Sequence, residues 1–539
     1  LESTGIVLLS LLAVVLSGFV ARLVRLPLPL VQIAMGALIA QSPLPAAALD
    51  PKVFFLLFLA PLLFIDGWRM PKDALRRDAP VVLTLALGLV LFTVLGMGWF
   101  MHLLIPAMPL AVCFALAAVV SPTDPIAVSA IAKRTPLPPR LMRYLQGESL
   151  LNDASGLVCM RFAVAAALTG QFSPTDALAS FAWLALGGVA IGVVATLVVA
   201  GASSWALQRL GPDGGAQILI TLLIPFGVYL LAEAAGCSGV LAAVTAGISM
   251  SYTDRWHWAA DTRLSRTAVW DTVQLAANGS IFVLLGEQLP ALLAAAPAIT
   301  QTSLQRPAAW LLVLVGVMLL ALALLRAFWV AASLGLRRML ARRSGAELAL
   351  GGARTVAVMT LAGVRGAVTL AGVLTLPLTL GDGRPFPGRE LAILLAAGVL
   401  VGSLVLAAVA LPLALRGYSL PPEPTQSDAE RAARIAAAHA AVAAVQAAQR
   451  ALPDAASGRG ADVAARIVAL YELRIEHHDA ADASADAGED DEIEHRLRLA
   501  GLEAERAEVR RIRDAEGIDD LGLRKLVREI DHQEARFLR

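Results

Sequence analysis

Apolar residues recur in runs of about twenty along the first 420 positions, the length needed to cross a hydrocarbon core. Thirteen such runs can be marked, at roughly 5–24, 26–42, 53–68, 79–100, 108–132, 141–168, 179–208, 215–232, 237–251, 267–288, 308–336, 350–376 and 391–415. The third and ninth are short, and the fifth, sixth and twelfth carry polar residues in their interiors. A soluble protein with long buried helices would need polar helices to cover them, and residues 1–420 offer none. The pattern predicts an all-alpha membrane protein with thirteen transmembrane helices. The first run is too long for a signal peptide and lacks a small-residue cleavage site, so it reads as a helix. The chain begins without Met, which we read as a trimmed start.

Composition strengthens this reading. Hydrophobic residues make up 58% of the 539, and the mean hydropathy is +0.70, well above a water-soluble domain. The net charge of +1 hides an asymmetry: residues 423–539 hold 25 acidic against 17 basic residues, while the part before them is basic. The basic groups are spread thinly over short loops, which argues against a nucleic-acid partner. Cys113, Cys159 and Cys237 lie inside apolar runs and form neither a metal pattern nor a disulfide framework. The histidines make no ligand cluster, and the sequence points to no cofactor.

Loop charge orients the spans. The loops after odd-numbered runs carry Arg22, Arg25, Arg69, Lys72, Arg76, Arg77, Lys133, Arg134, Arg140, Arg143, Arg209, Arg255, Arg263, Arg266, Arg337, Arg338, Arg342 and Arg343. Those after even runs hold only Lys52, Arg306, Arg384 and Arg389. By the positive-inside rule the N-terminus lies outside and the C-terminal tail in the cytoplasm. Trp99, Trp183, Trp256 and Trp258 fall near run ends, where amphipathic rings favour the interface.

Three polar motifs interrupt the apolar runs. Ser121-Pro122-Thr123-Asp124-Pro125 carries two prolines, which remove donors and clash with the preceding turn. Asp124 can cap a helix that restarts with Pro125 at its first position. This predicts a helix broken in mid-membrane, where unwound backbone is tolerated only if it lines a cavity or is buried by protein. In the run Gly147 to Asp153, Ser149 and Asp153 share one helix face, and Glu148 and Asn152 share the face beside it. Adjacent Asn152 and Asp153 deep in a helix are costly unless they are used. In the run Gly363 to Thr369, glycines flank Arg365, allowing close approach or unwinding. Arg365 could neutralise the carbonyl ends of broken half-helices or pair with Glu148; Arg326, inside the eleventh run, is an alternative partner for Glu148. Asp66 reads equally as a supporting carboxylate or a loop acid, and Asn278 and Ser280 equally as boundary or packing residues. Arg161 has no evident role, and Glu233 reads as an external loop residue.

Carboxylate, hydroxyl and carbonyl oxygens suit a small hard cation. Burial and mutual repulsion let the same carboxylates hold a proton instead. A site that holds either a cation or a proton can exchange them across the membrane, with deprotonated Asp124 and Asp153 binding the cation and their protonation expelling it.

Thr123-Asp124-Pro125, the run Gly147–Asp153 ending in Asn152-Asp153, and the run Gly363–Val368 around Arg365 resemble the monovalent cation:proton antiporter-1 family, the NhaP-like bacterial sodium/proton exchangers. The resemblance covers essentially all of residues 1–420 and covers the tail less fully. It implies an inverted-repeat antiporter fold with discontinuous crossing helices. A core domain at about 79–168 and 308–416 would move, elevator fashion, against a dimerisation domain at about 1–70 and 179–288. It implies Asp153 as the principal ion and proton carboxylate, with Asp124, Thr123 (through its backbone) and Ser149 completing coordination and Asp66 acting through water. Asn152 would stabilise the local structure, and Glu148 with Arg365 would form a structural ion pair. The Asn-Asp pair implies electroneutral exchange of Na+, or Li+, for H+. The implied setting is a homodimer in the bilayer of a bacterial cytoplasmic (inner) membrane, serving pH homeostasis. The rival readings are K+/H+ or broad monovalent cation/H+ antiport, a channel, and a non-transporting sensor. A channel should show a repeated pore-lining filter, and none is visible.

The tail, 421–539, opens on Pro421, Pro422 and Pro424, a break. Helices are expected at 428–450, 462–478, 493–513 and 517–538, with 451–461 as a linker and 479–492 loose and acidic. They suggest a cytoplasmic helical domain that regulates transport or strengthens a dimer, or else packs passively.

Overall fold

The computed structural model describes residues 2–42, 51–70, 79–132, 137–169, 174–211, 213–253, 260–344, 352–380, 383–418, 424–451 and 458–480, with isolated positions between 497 and 533. The chain divides into two compact units, Leu1–Leu420 and Pro421–Arg539. Among the described residues the elements are helical, apart from one isolated bridge between Thr379 and Pro385.

In the first unit the helices fall on the apolar runs. They are α1 (Glu2–Val24), α2 (Leu28–Ile39), α3 (Pro51–Phe54, a π-helical turn Phe55–Leu59, and Ala60–Arg69) and α4 (Ala79–Leu104, with a π-helical turn at Thr84–Leu89). Next come α5 (Leu110–Val120), α6 (Pro125–Ala132), α7 (Pro139–Thr169), α8 (Pro174–Leu210), α9 (Gly214–Ala234) and α10 (Gly239–Thr253). The unit continues with α11 (Ala260–Leu304), α12 (Ala309–Ser344), α13 (Ala353–Leu361), α14 (Ala367–Leu374) and α15 (Arg389–Leu415). Among the described residues eight helices are long and apolar enough to cross a membrane, and α2, α5 and α10 are shorter apolar helices. Outward-facing side chains are themselves apolar, as at Leu8, Phe19, Leu197 and Phe328. That is the surface a hydrocarbon solvent selects.

The tenth run is the one whose helix departs most from its expected bounds. The pattern ends it at 288, yet α11 continues to Leu304 through Pro290 and Pro297. Local sequence marks each proline as a breaker. The helix persists because Ala296 and Ile299 bury themselves in the apolar core, which offsets the missing donors.

Two large apolar clusters fill this unit. One gathers side chains of α4–α7 and α12–α15, together with Ile33, Phe282, Leu285, Ala296 and Ile299. The other gathers α3, α9, α10 and the Trp270–Ile281 stretch of α11, together with Leu150 and Ala154 of α7 and Ala371 of α14. Within the second, α3 and α10 cross closely: a Cβ at Gly67 would lie 2.6 Å from the Val244 carbonyl oxygen. Helix α7 contributes to both clusters, and the polar motif Glu148–Asp153 lies along it.

In the second unit α16 (Pro424–Ala451) and α17 (Gly458–Ala480) pack against each other. The loose segment and most of the two later tail helices lie outside the described residues, as do Trp256 and Trp258.

Candidate functional site

Two helices break where proline and glycine forbid continuation, and the breaks meet. Between α5 and α6 the backbone is unwound over 121–124, with Pro125 opening α6. Between α13 and α14 it is unwound over 363–366. The amide of Asp124 donates to the carbonyl of Val364 at 2.8 Å, so the gaps cross rather than merely lie near each other. A Cβ on Gly366 would sit 2.5 Å from Asp124 Cβ, so this glycine is what lets the segments touch.

Such a crossing leaves helix-end carbonyls without partners, each carrying part of the negative end of a helix dipole. Arg365 answers them. Its Nε donates to the Val120 carbonyl at 2.9 Å, the last turn of α5, and its Nη1 donates to the Gly363 carbonyl. Its backbone amide donates to Ser403 Oγ of α15 at 3.0 Å. Of the two roles open to Arg365 from the sequence, this is the neutralisation of half-helix ends.

The expected Glu148–Arg365 ion pair is corrected. Glu148 pairs with Arg326 of α12 in bidentate fashion, Nη1 to Oε1 at 2.5 Å and Nη2 to Oε2 at 2.8 Å. Arg326 Nε donates to the Met359 carbonyl at 2.9 Å. Both side chains are almost completely buried. Arg365 hydrogen-bonds to backbone carbonyls instead, and the planar fork of Arg326 matches a carboxylate.

Glu148 also receives a hydrogen bond from the Thr123 hydroxyl at 2.8 Å. Asn152 Nδ2 donates to the Thr123 carbonyl and hydroxyl oxygens, each at 3.2 Å. Thus α7 grips the unwound segment before α6 through Glu148 and Asn152, one helical turn apart. A further link comes from the π-helical turn of α4, where the Ala86 carbonyl accepts from Ser155 Oγ at 3.2 Å.

Asp153 is 8% exposed and its carboxylate makes no hydrogen bond or ion pair among the described residues. The charges that act on it most are the carboxylates of Asp124 and then Asp66. Those acting on Asp66 are Asp124 and then Arg69. Three acids from α3, the α5–α6 break and α7 therefore form one electrostatic group.

A cavity of about 420 Å³ is lined by one of these acids, Asp66. Pro125, Ser129, Ser149, Gln32, Asn278 and Gln146 line it with Asp66. Arg69, Asp271 and Gln274 also line it; Arg69 Nη2 meets Asp271 Oδ1 at 2.5 Å and its Nη1 meets Gln274 Oε1 at 2.9 Å. Of the residues singled out from sequence, the structure brings together Asp66, Thr123, Asp124, Glu148, Ser149, Asn152, Asp153, Arg326 and Arg365. Ser280 is buried elsewhere on α11. Sequence reading did not mark Gln32, Gln146, Asp271, Gln274 or Ser403. The signal for the α11 group was present: Asp271, Gln274 and Asn278 recur at helical spacing on one face of the helix.

Comparison with known proteins identifies the family. The family profile described as the transmembrane sodium/hydrogen exchanger matches residues 7–417. An uncharacterised Na+/H+ exchanger of Escherichia coli (strain K12) is 37% identical over 541 residues, covering 98% of each chain. A sodium, potassium, lithium and rubidium/H+ antiporter of Bacillus subtilis (strain 168) is 40% identical over 420 residues, covering 76% of this chain and 61% of its own. Among solved structures, the sodium proton antiporter MjNhaP1 of Methanocaldococcus jannaschii matches with a TM-score of 0.52 at 19% identity, over 77% of this chain and 99% of that one; this likeness concerns the fold. With crossed helix breaks, a buried acid group and these relatives, the chain belongs to the transmembrane sodium/hydrogen exchangers of the monovalent cation:proton antiporter-1 family, and is a transporter rather than an enzyme.

Proposed function

We propose that the protein is an electroneutral antiporter exchanging Na+, and Li+ with it, for H+. Asp153 and Asp124 would hold the cation when deprotonated and release it when protonated. Thr123 and Ser149 would supply further oxygens, and Asp66 would act from the cavity. The observation that carries this reading is Asp153: a buried carboxylate with no protein partner among the described residues, on the helix whose Ser149 lines the cavity. A buried acid left without a counter-ion is costly unless a cation or proton occupies it.

The cycle is of the elevator type. The helices of the first apolar cluster, about 79–168 and 308–416, would carry the site. The helices of about 1–70 and 179–288 would form a static dimerisation scaffold. Support comes from α7, which carries Asp153 and contributes side chains to both clusters. We further infer thirteen spans in an inverted repeat, an outside N-terminus, a cytoplasmic tail, a homodimer in a bacterial inner membrane, and a role in pH homeostasis. Loop charge and the family resemblance support these assignments.

The relative from Bacillus subtilis, an antiporter of four alkali cations, favours broad monovalent cation/H+ exchange as the second reading. The test is proton movement in proteoliposomes on adding Na+, K+ or Li+, with the voltage clamped by ionophore. Wild-type protein should exchange and Asp153→Asn should not; exchange persisting in Asp153→Asn sinks the mechanism. Exchange driven by voltage alone sinks electroneutrality, and equal rates with K+ select the second reading.

A further inference from the structure

The sequence leaves two charges without a role, and the structure joins them. Arg161 lies on α7, eight residues beyond Asp153, and its Nη2 meets Glu233 Oε1 of α9 at 3.2 Å. On α7 the cavity touches Gln146 and Ser149. Arg161 is twelve residues past Ser149, about 18 Å of helix at 1.5 Å per residue, so Asp153 lies between the cavity and the pair. On the pair's side of Asp153, Ala154 and Leu157 pack into the apolar cluster of α3, α9 and α10. Along α7, Asp153 thus has the cavity on one side and, on the other, an apolar layer backed by an ion pair.

The two partners are held differently. Glu233 is fixed: the same Oε1 accepts the Gly239 amide at 3.2 Å, and Gly239 abuts the Tyr229 ring. This ties the carboxylate to the corner where α9 turns into α10. Arg161 reaches it from the helix that carries Asp153. Their side chains are 48% and 35% exposed, so the pair is weak enough to be made and broken in each turnover.

We propose that Arg161 and Glu233 form the closed gate on the side of the acids away from the cavity, and that they must part each time the site opens to that side. The proposal rests on the exchange cycle above.

The test uses full-length protein in proteoliposomes, in a background with Cys113, Cys159 and Cys237 changed to Ala. Arg161→Cys with Glu233→Cys is bridged by a reducible bis-methanethiosulfonate. The reduced variant should exchange, the bridged form should lose exchange at least tenfold, and a reductant should restore it. Full exchange by the bridged protein overturns the gate while leaving the antiport reading intact, since Asp153→Asn still reports on that reading. Failure to bridge at all removes the proximity on which the gate depends, and overturns it. A second measurement separates a gate from a structural contact. Arg161→Ala and Glu233→Ala should shift the apparent cation KM measured from the two sides in opposite directions, by up to about fivefold, and the charge swap Arg161→Glu with Glu233→Arg should reverse the shift. A change confined to Tm, with both KM values unmoved, assigns the pair to structure and overturns the proposal.

Discussion

The amide of Asp124 donates to the carbonyl of Val364 at 2.8 Å, joining the unwound stretches of two broken helices. Each stretch alone would expose backbone donors and acceptors to a low-dielectric interior. Crossed, they satisfy part of each other and place an acidic side chain where half-helix ends converge.

The crossing depends on Gly366, and its replacement should be selective. Backbone φ there is −106°, which any residue adopts, so the cost is contact rather than conformation. Gly366→Ala puts a methyl 2.5 Å from Asp124 Cβ and should lower exchange at least about tenfold, while the protein still inserts and dimensions by size-exclusion stay unchanged. Gly316→Ala meets nothing within 4 Å and serves as the control.

Breaking the Glu148–Arg326 pair from one side strands a buried charge. Glu148→Gln or Arg326→Met alone should destabilise by about 3–5 kcal/mol, read as a fall in Tm in detergent. Glu148→Leu with Arg326→Met should recover much of that loss. A double variant as unstable as the sum of the singles would show that the two side chains do not act as a pair.

At the cavity, Arg69 and Asp271 neutralise each other at 2.5 Å. Asp271→Asn leaves the Arg69 charge unbalanced and should repel incoming cations. Apparent KM should rise about two- to fivefold at low salt with Vmax unchanged, and the effect should fade as ionic strength rises. Arg69→Gln should move KM the other way.

The proposed competition between cation and proton carries a pH dependence. If cation and proton share Asp153 and Asp124, acidifying the cation-loading side should raise the apparent KM for the cation while leaving Vmax in place. Initial-rate isotope uptake at several pH values measures this. A KM that does not move with pH contradicts a shared site.

Much of this was legible along the chain because the cues are local. Apolar run length marks helices, Pro122 and Pro125 mark one break, and Gly363 and Gly366 mark the other. The pairing of Asn152 with Asp153 marks the polar centre. The extent of α11 was hidden because Pro290 and Pro297 look the same locally whether or not burial compensates them. Asp66 was ambiguous for a related reason: the end of an apolar run does not say whether its acid faces a cavity or a loop.

The sequence by itself determined most of the helical segments and where two of them must unwind. Those properties follow from periodicity and from the backbone limits of proline and glycine. Only the tertiary structure decided the partners. Glu148 and Arg326 stand 178 residues apart, and nothing local distinguishes Arg326 from Arg365 as the counter-ion. The structure gives Arg365 to the half-helix carbonyls and Arg326 to the carboxylate. It also brings Asp66 to the acids of α7 and the broken helix, and Glu233 to Arg161. Such choices depend on how helices cross, which long-range packing controls and local pattern does not record.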